Sequence, residues 1–231
     1  MAARVRRAAL TPVYLETGKQ RVFAAALDWP GWCRSAKHET GALEALAAYG
    51  GRYAEVPKEA AIPFPSRSAD DFEVVERVRG SATTDFGAPG EPAAKDKQPI
   101  NAKDAARLAA LVSAAWKVFD RVVAKAPASL RKGPRGGGRD RDAMVEHVLS
   151  AEVAYARKLG VRLDQPARGD TRAVSAERRA IVEALQAAAG KRLPTEKGWP
   201  APYAARRIAW HALDHAWEME DRSQPAPAPP Q

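Results

Sequence analysis

The chain has 231 residues, enough for one large or two small domains, with 45% hydrophobic and 28% charged residues, an ordinary soluble balance. No run of about 18 apolar residues offers a membrane span, and the basic start Met1–Arg7 is not followed by an apolar segment of signal-peptide length, so a cytoplasmic protein without a membrane partner is expected. The one cysteine, Cys33, excludes an internal disulfide and any cysteine-rich zinc site.

The net charge of +9 is unevenly spread. Residues 1–100 hold 14 Lys/Arg against 13 Asp/Glu and residues 101–231 hold 23 against 15, so the two parts carry +1 and +8. Arg131, Lys132, Arg135, Arg139 and Arg141, less Asp140, place +4 in one stretch. Such a stretch can meet phosphates or an acidic small molecule, or be a solvated loop. It has no interleaved aromatics and no reader motif beside it, so nucleic acid is not the expected partner.

Residues 11–80 read as a small α+β unit. Val13–Glu16 and Arg21–Leu27 are strand candidates joined by the turn Thr17-Gly-Lys-Gln20. Trp29-Pro-Gly31 turns into a third candidate, Trp32–Lys37, which includes Cys33 as a small core or edge residue. A helix capped by Thr40 follows, with Ala42, Leu43, Leu46 and Ala47 on one face, stopped or interrupted at Gly50 and Gly51 before Tyr53 and Val56. Asp71–Val78 offers a fourth strand, giving the order β-β-β-α-β. That order, with Asp28-Trp-Pro-Gly-Trp-Cys33 ahead of an amphipathic helix, resembles the HicB-like fold over about 70 residues. The chain continues into histidine-bearing helices where the familiar antitoxins continue into a DNA-binding segment. The unit is therefore expected to be an accessory or dimerising domain, and a homodimer is consistent with it.

Residues 81–100 have the Gly, Pro and small polar residues of a linker. Asn101 with Asp104 then opens a helix whose stripe is Leu108, Leu111, Val112, Ala115, Phe119 and Val122, stopped by Lys132–Gly138. The glycines of that stop lack the Gly-Lys-Ser/Thr ending of a phosphate loop, so they read as a flexible connection. A second helix covers Asp142–Leu159, with Met144, Val148, Ala151, Tyr155 and Leu159 inward, His147 at the edge of that face and Gly160 closing it. Ser175 is the expected cap of a third helix, with Glu177 in its first turn, Ile181, Val182, Leu185 and Ala188 inward, and Gly190 at its end. The fourth contains Arg206–Arg222, with Pro200 and Pro202 at its start and Pro225 after its end, and an apolar side through Ile208, Ala212 and Met219. Four striped segments joined by polar loops predict a four-helix bundle over 101–223, and residues 224–231 form a Pro-rich tail.

The chemistry concentrates in that fourth helix. His211 and His215 are four residues apart, so their Cβ atoms stand about 6 Å apart on one helix face and both imidazoles can reach one ion. His147 adds a third imidazole from another helix, and three histidines with further ligand positions open is the composition of a catalytic divalent site. The other reading is three buried, neutral, hydrogen-bonded imidazoles. Arg207, one turn before His211, is a candidate for an anionic substrate group or a surface ion pair; Asp214 and Glu218 are candidates to orient an imidazole or to be solvated.

The run His211-Ala-Leu-Asp-His215-Ala-Trp-Glu218, preceded by His147-Val-Leu-Ser-Ala-Glu152, resembles the DinB/YfiT-like family, which includes S-transferases acting with mycothiol or bacillithiol. The resemblance covers about residues 98–223 and implies a four-helix bundle holding a divalent metal, zinc or nickel, on His147, His211 and His215. It implies a metal-dependent enzyme, a thiol S-transferase or related hydrolase acting on a small-molecule substrate with a low-molecular-weight thiol as cosubstrate. The alternative is a non-catalytic binding or regulatory module in which the HicB-like unit recruits a partner.

Overall fold

The computed structural model describes residues 10–64, 69–132, 138–191 and 198–223. It is an α+β protein: a four-stranded sheet belongs to the first part of the chain and the long helices to the rest. Strands β1 (Thr11–Thr17), β2 (Val22–Ala26) and β3 (Cys33–Ala36) form an antiparallel run, and β4 (Phe72–Arg79) pairs parallel to β1, giving the order β3-β2-β1-β4.

The strand sequences explain why both faces of this sheet are covered. Successive side chains point to opposite faces. Val13, Leu15, Val22, Ala24 and Ala26 go to the face packed on Ala42 and Leu46 of helix α1 (Glu39–Ala48), while Tyr14, Phe23, Ala25, Leu27 and Cys33 go to the other, where Trp210 packs. All five residues of β2 are buried, which is why it reads as an unbroken apolar run. After α1 the chain makes two short helices, α2 (Gly50–Tyr53) and α3 (Glu55–Glu59), so Gly50 and Gly51 interrupt the helix and do not end it. Tyr53 stacks on Trp32 with centroids 5.5 Å apart and donates to Pro30 O at 3.0 Å, fixing the Trp29-Pro-Gly31 turn. Gly31 has φ +94°, and a Cβ there would come within 2.5 Å of Leu213 Cδ1, so the turn's close approach to the last helix requires glycine.

Two helix starts differ from the sequence reading. The N-cap of α1 is His38, which makes no side-chain cap bond, and Thr40 lies inside the helix. Helix α7 (Thr171–Ala187) starts at Asp170, whose carboxylate accepts from Ala173 N at 2.9 Å. Ser175 is one turn further in and its hydroxyl bonds back to Thr171 O at 2.7 Å. The true start therefore precedes the expected one by a turn and leaves the inward stripe in phase.

Residues 81–100, read from composition as a linker, lie between the sheet and the last helix. They carry helix α4 (Ala82–Phe86), in which Ser81 and Thr84 form a capping box, and a 3-10 turn at Ala94–Lys97. Two buried carboxylates hold the segment. Glu16 of β1 accepts from Gly90 N at 2.8 Å, Glu91 N at 3.1 Å and Thr84 Oγ1 at 2.5 Å, and Asp96 pairs with Arg206.

The four long helices are α5 (Ala102–Lys125), α6 (Arg141–Lys158), α7 and α8 (Ala201–Ser223). Helix α5 packs on α7 and α8, and α6 packs on α8 and α7, closing a ring of four. The stripe expected for α5 is buried throughout, with Asn101 as its cap accepting from Asp104 N at 2.9 Å. Helix α8 is buried far beyond the expected Ile208, Ala212 and Met219: Trp210, Leu213, Ala216 and Trp217 are also inside. The sheet covers one side of α8 and α5 and α6 cover others, so its two tryptophans each contribute about 1.5–3 kcal/mol or more of apolar burial. Among the described residues no helix is long and apolar enough to cross a membrane.

Candidate metal centre

The rigid core of α8 positions two of the three imidazoles. His211 is 7% exposed, and its ring stands at right angles to that of His215 with centroids 4.7 Å apart, as the four-residue spacing dictates. Helix α6 crosses this face and brings His147 to centroid distances of 5.0 Å from each. One ring nitrogen from each of the three lies within 4.8 Å of the others, close enough to hold a metal ion. The His147 and His211 Nε2 atoms are 3.2 Å apart. Two nitrogens about 2.0–2.1 Å from one tetrahedral ion stand about 3.3 Å apart, so the separation suits a shared ion, as it does a single hydrogen bond between neutral rings.

The rings of His147 and His211 are set up to be neutral. Burial, then the His215 charge, pushes the His147 pKa down to about 4, and burial holds His211 well below the ordinary histidine range. A neutral imidazole has a lone pair to give to a cation. The third ring is oriented from behind: His215 Nδ1 is 3.1 Å from Glu218 Oε2, and Glu218 Oε1 accepts from Arg222 Nη1 at 2.7 Å. The Arg222 Nε in turn donates to Arg131 O at 2.6 Å. Tyr155 closes the other side, edge-on to His211 at 5.7 Å.

The other expected residues fall in different places. Glu218 is beside an imidazole; Asp214 is not, because Arg34 on β3 takes its carboxylate at 2.8 Å on the sheet side of α8. Among the described residues Arg207 forms no ion pair. It is 9% exposed, with its guanidinium 4.7 Å from the Trp210 ring centroid and 5.4 Å from that of Tyr155. Arg222 and Arg131 join the site from outside the expected set, and of their contacts only the four-residue step from Glu218 to Arg222 is a legible helix pair. Of the basic stretch, Lys132 pairs with Asp140 at 2.9 Å and Arg141 with Asp142 at 2.9 Å, while Arg135 lies outside the described residues. Cys33 is buried and its thiol pKa is pushed up by that burial, which makes it a core residue and no nucleophile. Two surface clefts run elsewhere, one beside Trp29 and Arg107 and one between Arg52 and Lys125.

Compared with protein-family models, curated proteins and solved structures, the chain matches none of them. The geometry above therefore stands alone: an α+β protein with three histidines from two packed helices grouped closely enough to hold one ion.

Proposed function

We propose that this chain is a metal-dependent enzyme of the DinB/YfiT-like type, with the ring α5–α8 as its bundle and His147, His211 and His215 as ligands to a zinc or nickel ion. The observation that carries the reading is the convergence of three imidazole nitrogens within 4.8 Å, with His147 and His211 kept neutral chiefly by burial. Glu218 supports it. A carboxylate accepting from His215 Nδ1–H leaves Nε2 free to face the ion, the usual arrangement behind a metal-bound histidine.

Three neutral ligands would leave the ion's charge uncompensated, and what such an ion supplies is acidity toward a thiol or water brought to its open side. The reaction class is accordingly transfer of a low-molecular-weight thiol, such as mycothiol or bacillithiol, to a small electrophile, or the related hydrolysis. Within it the protein's own residues have separate tasks. Glu218, held by Arg222, fixes the tautomer of His215, and Tyr155 packs edge-on against His211.

The test is elemental analysis of protein purified without chelator. About one divalent ion per chain is expected; less than about a tenth of an equivalent, unchanged after zinc or nickel is added, overturns the assignment and leaves the non-catalytic partner-binding module as the reading.

A further inference from the structure

The turn after β2 and the start of α5 border a cleft that none of the three histidines lines. It has a volume of about 530 Å3, within the roughly 300–1,000 Å3 of small-molecule sites, and lies between the start of β1, the turn at Asp28 and Trp29, residues 95–100 and the first turns of α5 and α8. Leu10, Trp29 and Ile100 give it an apolar wall, with Leu10 left 42% exposed. Trp29 is fixed in that wall by Phe64, edge-on at 4.9 Å, and by Tyr53 at 6.4 Å.

Six charged side chains line the cleft, and four of them are matched in pairs: Lys95 with Asp28 at 3.3 Å, and Arg206 with Asp96. Asp104 and Arg107 are left, and among the described residues neither has an ion-pair partner. They stand three residues apart on α5, so both project from one helix face. That spacing suits a direct pair of opposite charges, but Arg107 is drawn off. It donates Nη1–H to Asp28 O and holds its guanidinium carbon 4.4 Å from the Trp29 ring centroid. Asp104 accepts from Asn101 Nδ2 at 2.9 Å through one carboxylate oxygen, and its other oxygen has no partner among the described residues. Asp104 is exposed and Arg107 half-buried, so one fixed anion and one fixed cation stand open beside the same apolar wall.

A ligand that answers all three features carries a carboxylate, an ammonium and an apolar group on one carbon. A carboxylate matches the fork of a guanidinium, and an ammonium brings donors to a carboxylate. A phosphate or a dicarboxylate would set its second charge against Asp104, and a purely apolar molecule would strip water from both charges and replace none of it. A peptide end carries only one of the two charges on its terminal residue. We propose that this cleft binds a free α-amino acid with an apolar side chain, its carboxylate on Arg107, its ammonium on Asp104 and its side chain against Leu10, Trp29 and Ile100. The site is separate from the histidines and stands whether or not they hold an ion.

The experiment is calorimetric titration of the full chain with leucine, methionine and phenylalanine, and with N-acetyl-leucine and leucine amide, which each lack one of the two charges. At least one free amino acid should bind, and each blocked form should bind about tenfold or more weakly than leucine, the usual weight of a hydrogen bond to a charged group. Arg107→Met should remove the preference for leucine over its amide. Asp104→Asn changes an exposed side chain and leaves the Asn101 cap in place, so it does not depend on the first variant folding; it should remove the preference for leucine over N-acetyl-leucine. No binding by any of the three amino acids in the millimolar range overturns the proposal, as do blocked forms that bind as well as leucine. An amino acid taken up at the histidines instead would keep its affinity and its preference in Asp104→Asn, and that result overturns it too.

Discussion

Glu218 sits with one carboxylate oxygen 3.1 Å from His215 Nδ1 and the other 2.7 Å from Arg222 Nη1, so it joins the edge of the histidine cluster to the last turn of α8. Arg222 is itself anchored: it donates to Arg131 O, and its own carbonyl accepts from Arg131 N at 3.0 Å. The chain Arg131–Arg222–Glu218–His215 thus sets which His215 nitrogen carries the proton. These contacts hold the Glu218 pKa below the ordinary carboxylate range, the His215 hydrogen bond being the larger cause.

Glu218→Gln keeps the length and one acceptor but removes the charge that favours an Nδ1 proton on His215. Zinc affinity should fall about 10–100-fold, the usual range for a partner standing behind a ligand, with the helical spectrum unchanged. Competition against a chromophoric chelator measures it. An unaltered affinity would mean that packing alone orients the ring.

A second prediction concerns the Asp96–Arg206 pair, which has side-chain exposures of only 2% and 7%. Asp96→Ala strands a buried guanidinium and should cost about 3–5 kcal/mol in denaturant unfolding. Asp96→Ala combined with Arg206→Met should recover most of that loss, since the pair's absence is cheaper than its half. A single-variant cost under about 1 kcal/mol is the value of an exposed pair and would place the ion pair in solvent.

How far the fold was legible follows from the range of each signal. Helix stripes and strand alternation are local, so Leu108 to Val122 of α5 and the strand positions of Val13–Glu16 were readable directly. The histidine grouping was readable because the spacing of His211 and His215 is itself a geometric statement on a helix, and His147 had only one inward face to occupy. Residues 81–100 were not, since the groups that hold them, Glu16 and Arg206, lie 74 and 110 residues away and composition carries no trace of such distant partners. The same holds for Asp214. Its spacing from His211 allowed a role behind an imidazole, but the helix faces a sheet on that side, and Arg34, 180 residues away, takes it.

The third prediction uses pH. Glu177 on α7 is buried with neither carboxylate oxygen hydrogen-bonded to a described residue, and burial followed by the charge of Glu152 raises its pKa from an ordinary 4.5 to about 7. Glu152, wholly buried against Arg178, is raised as well by its burial. A raised folded-state pKa means that the folded chain holds a proton the unfolded chain releases first. The stability this proton confers is complete below about 4.5, falls as pH climbs, and is gone above about 7. Glu177→Gln mimics the protonated form, so it should flatten the stability curve across that window and be the more stable chain at pH 8. Unfolding midpoints at half-unit pH steps check this; parallel curves for the two chains would show that Glu177 is solvated.

The last prediction separates a catalytic ion from a structural one. His147 is the candidate ligand to remove, because it is half-buried at the edge of α6, whereas truncating His211 opens a hole in a helix enclosed on most sides. Its ring packs on His211 and His215 and has no other aromatic neighbour among the described residues. His147→Ala should therefore leave the helical spectrum intact and the unfolding free energy within about 1–2 kcal/mol of the unaltered chain, a typical cost for a half-buried truncation. Metal content should drop from about one equivalent to below about a tenth, because two imidazoles on one helix hold zinc far less tightly than three. In a screen of small electrophiles with mycothiol, bacillithiol or water as acceptor, turnover should vanish with the metal and should not return when zinc is added. The opposite outcome is equally definite: if the metal-loaded chain turns over nothing with any acceptor and His147→Ala simply unfolds, the ion is a fastener between α6 and α8, and the enzymatic reading of the three histidines is wrong.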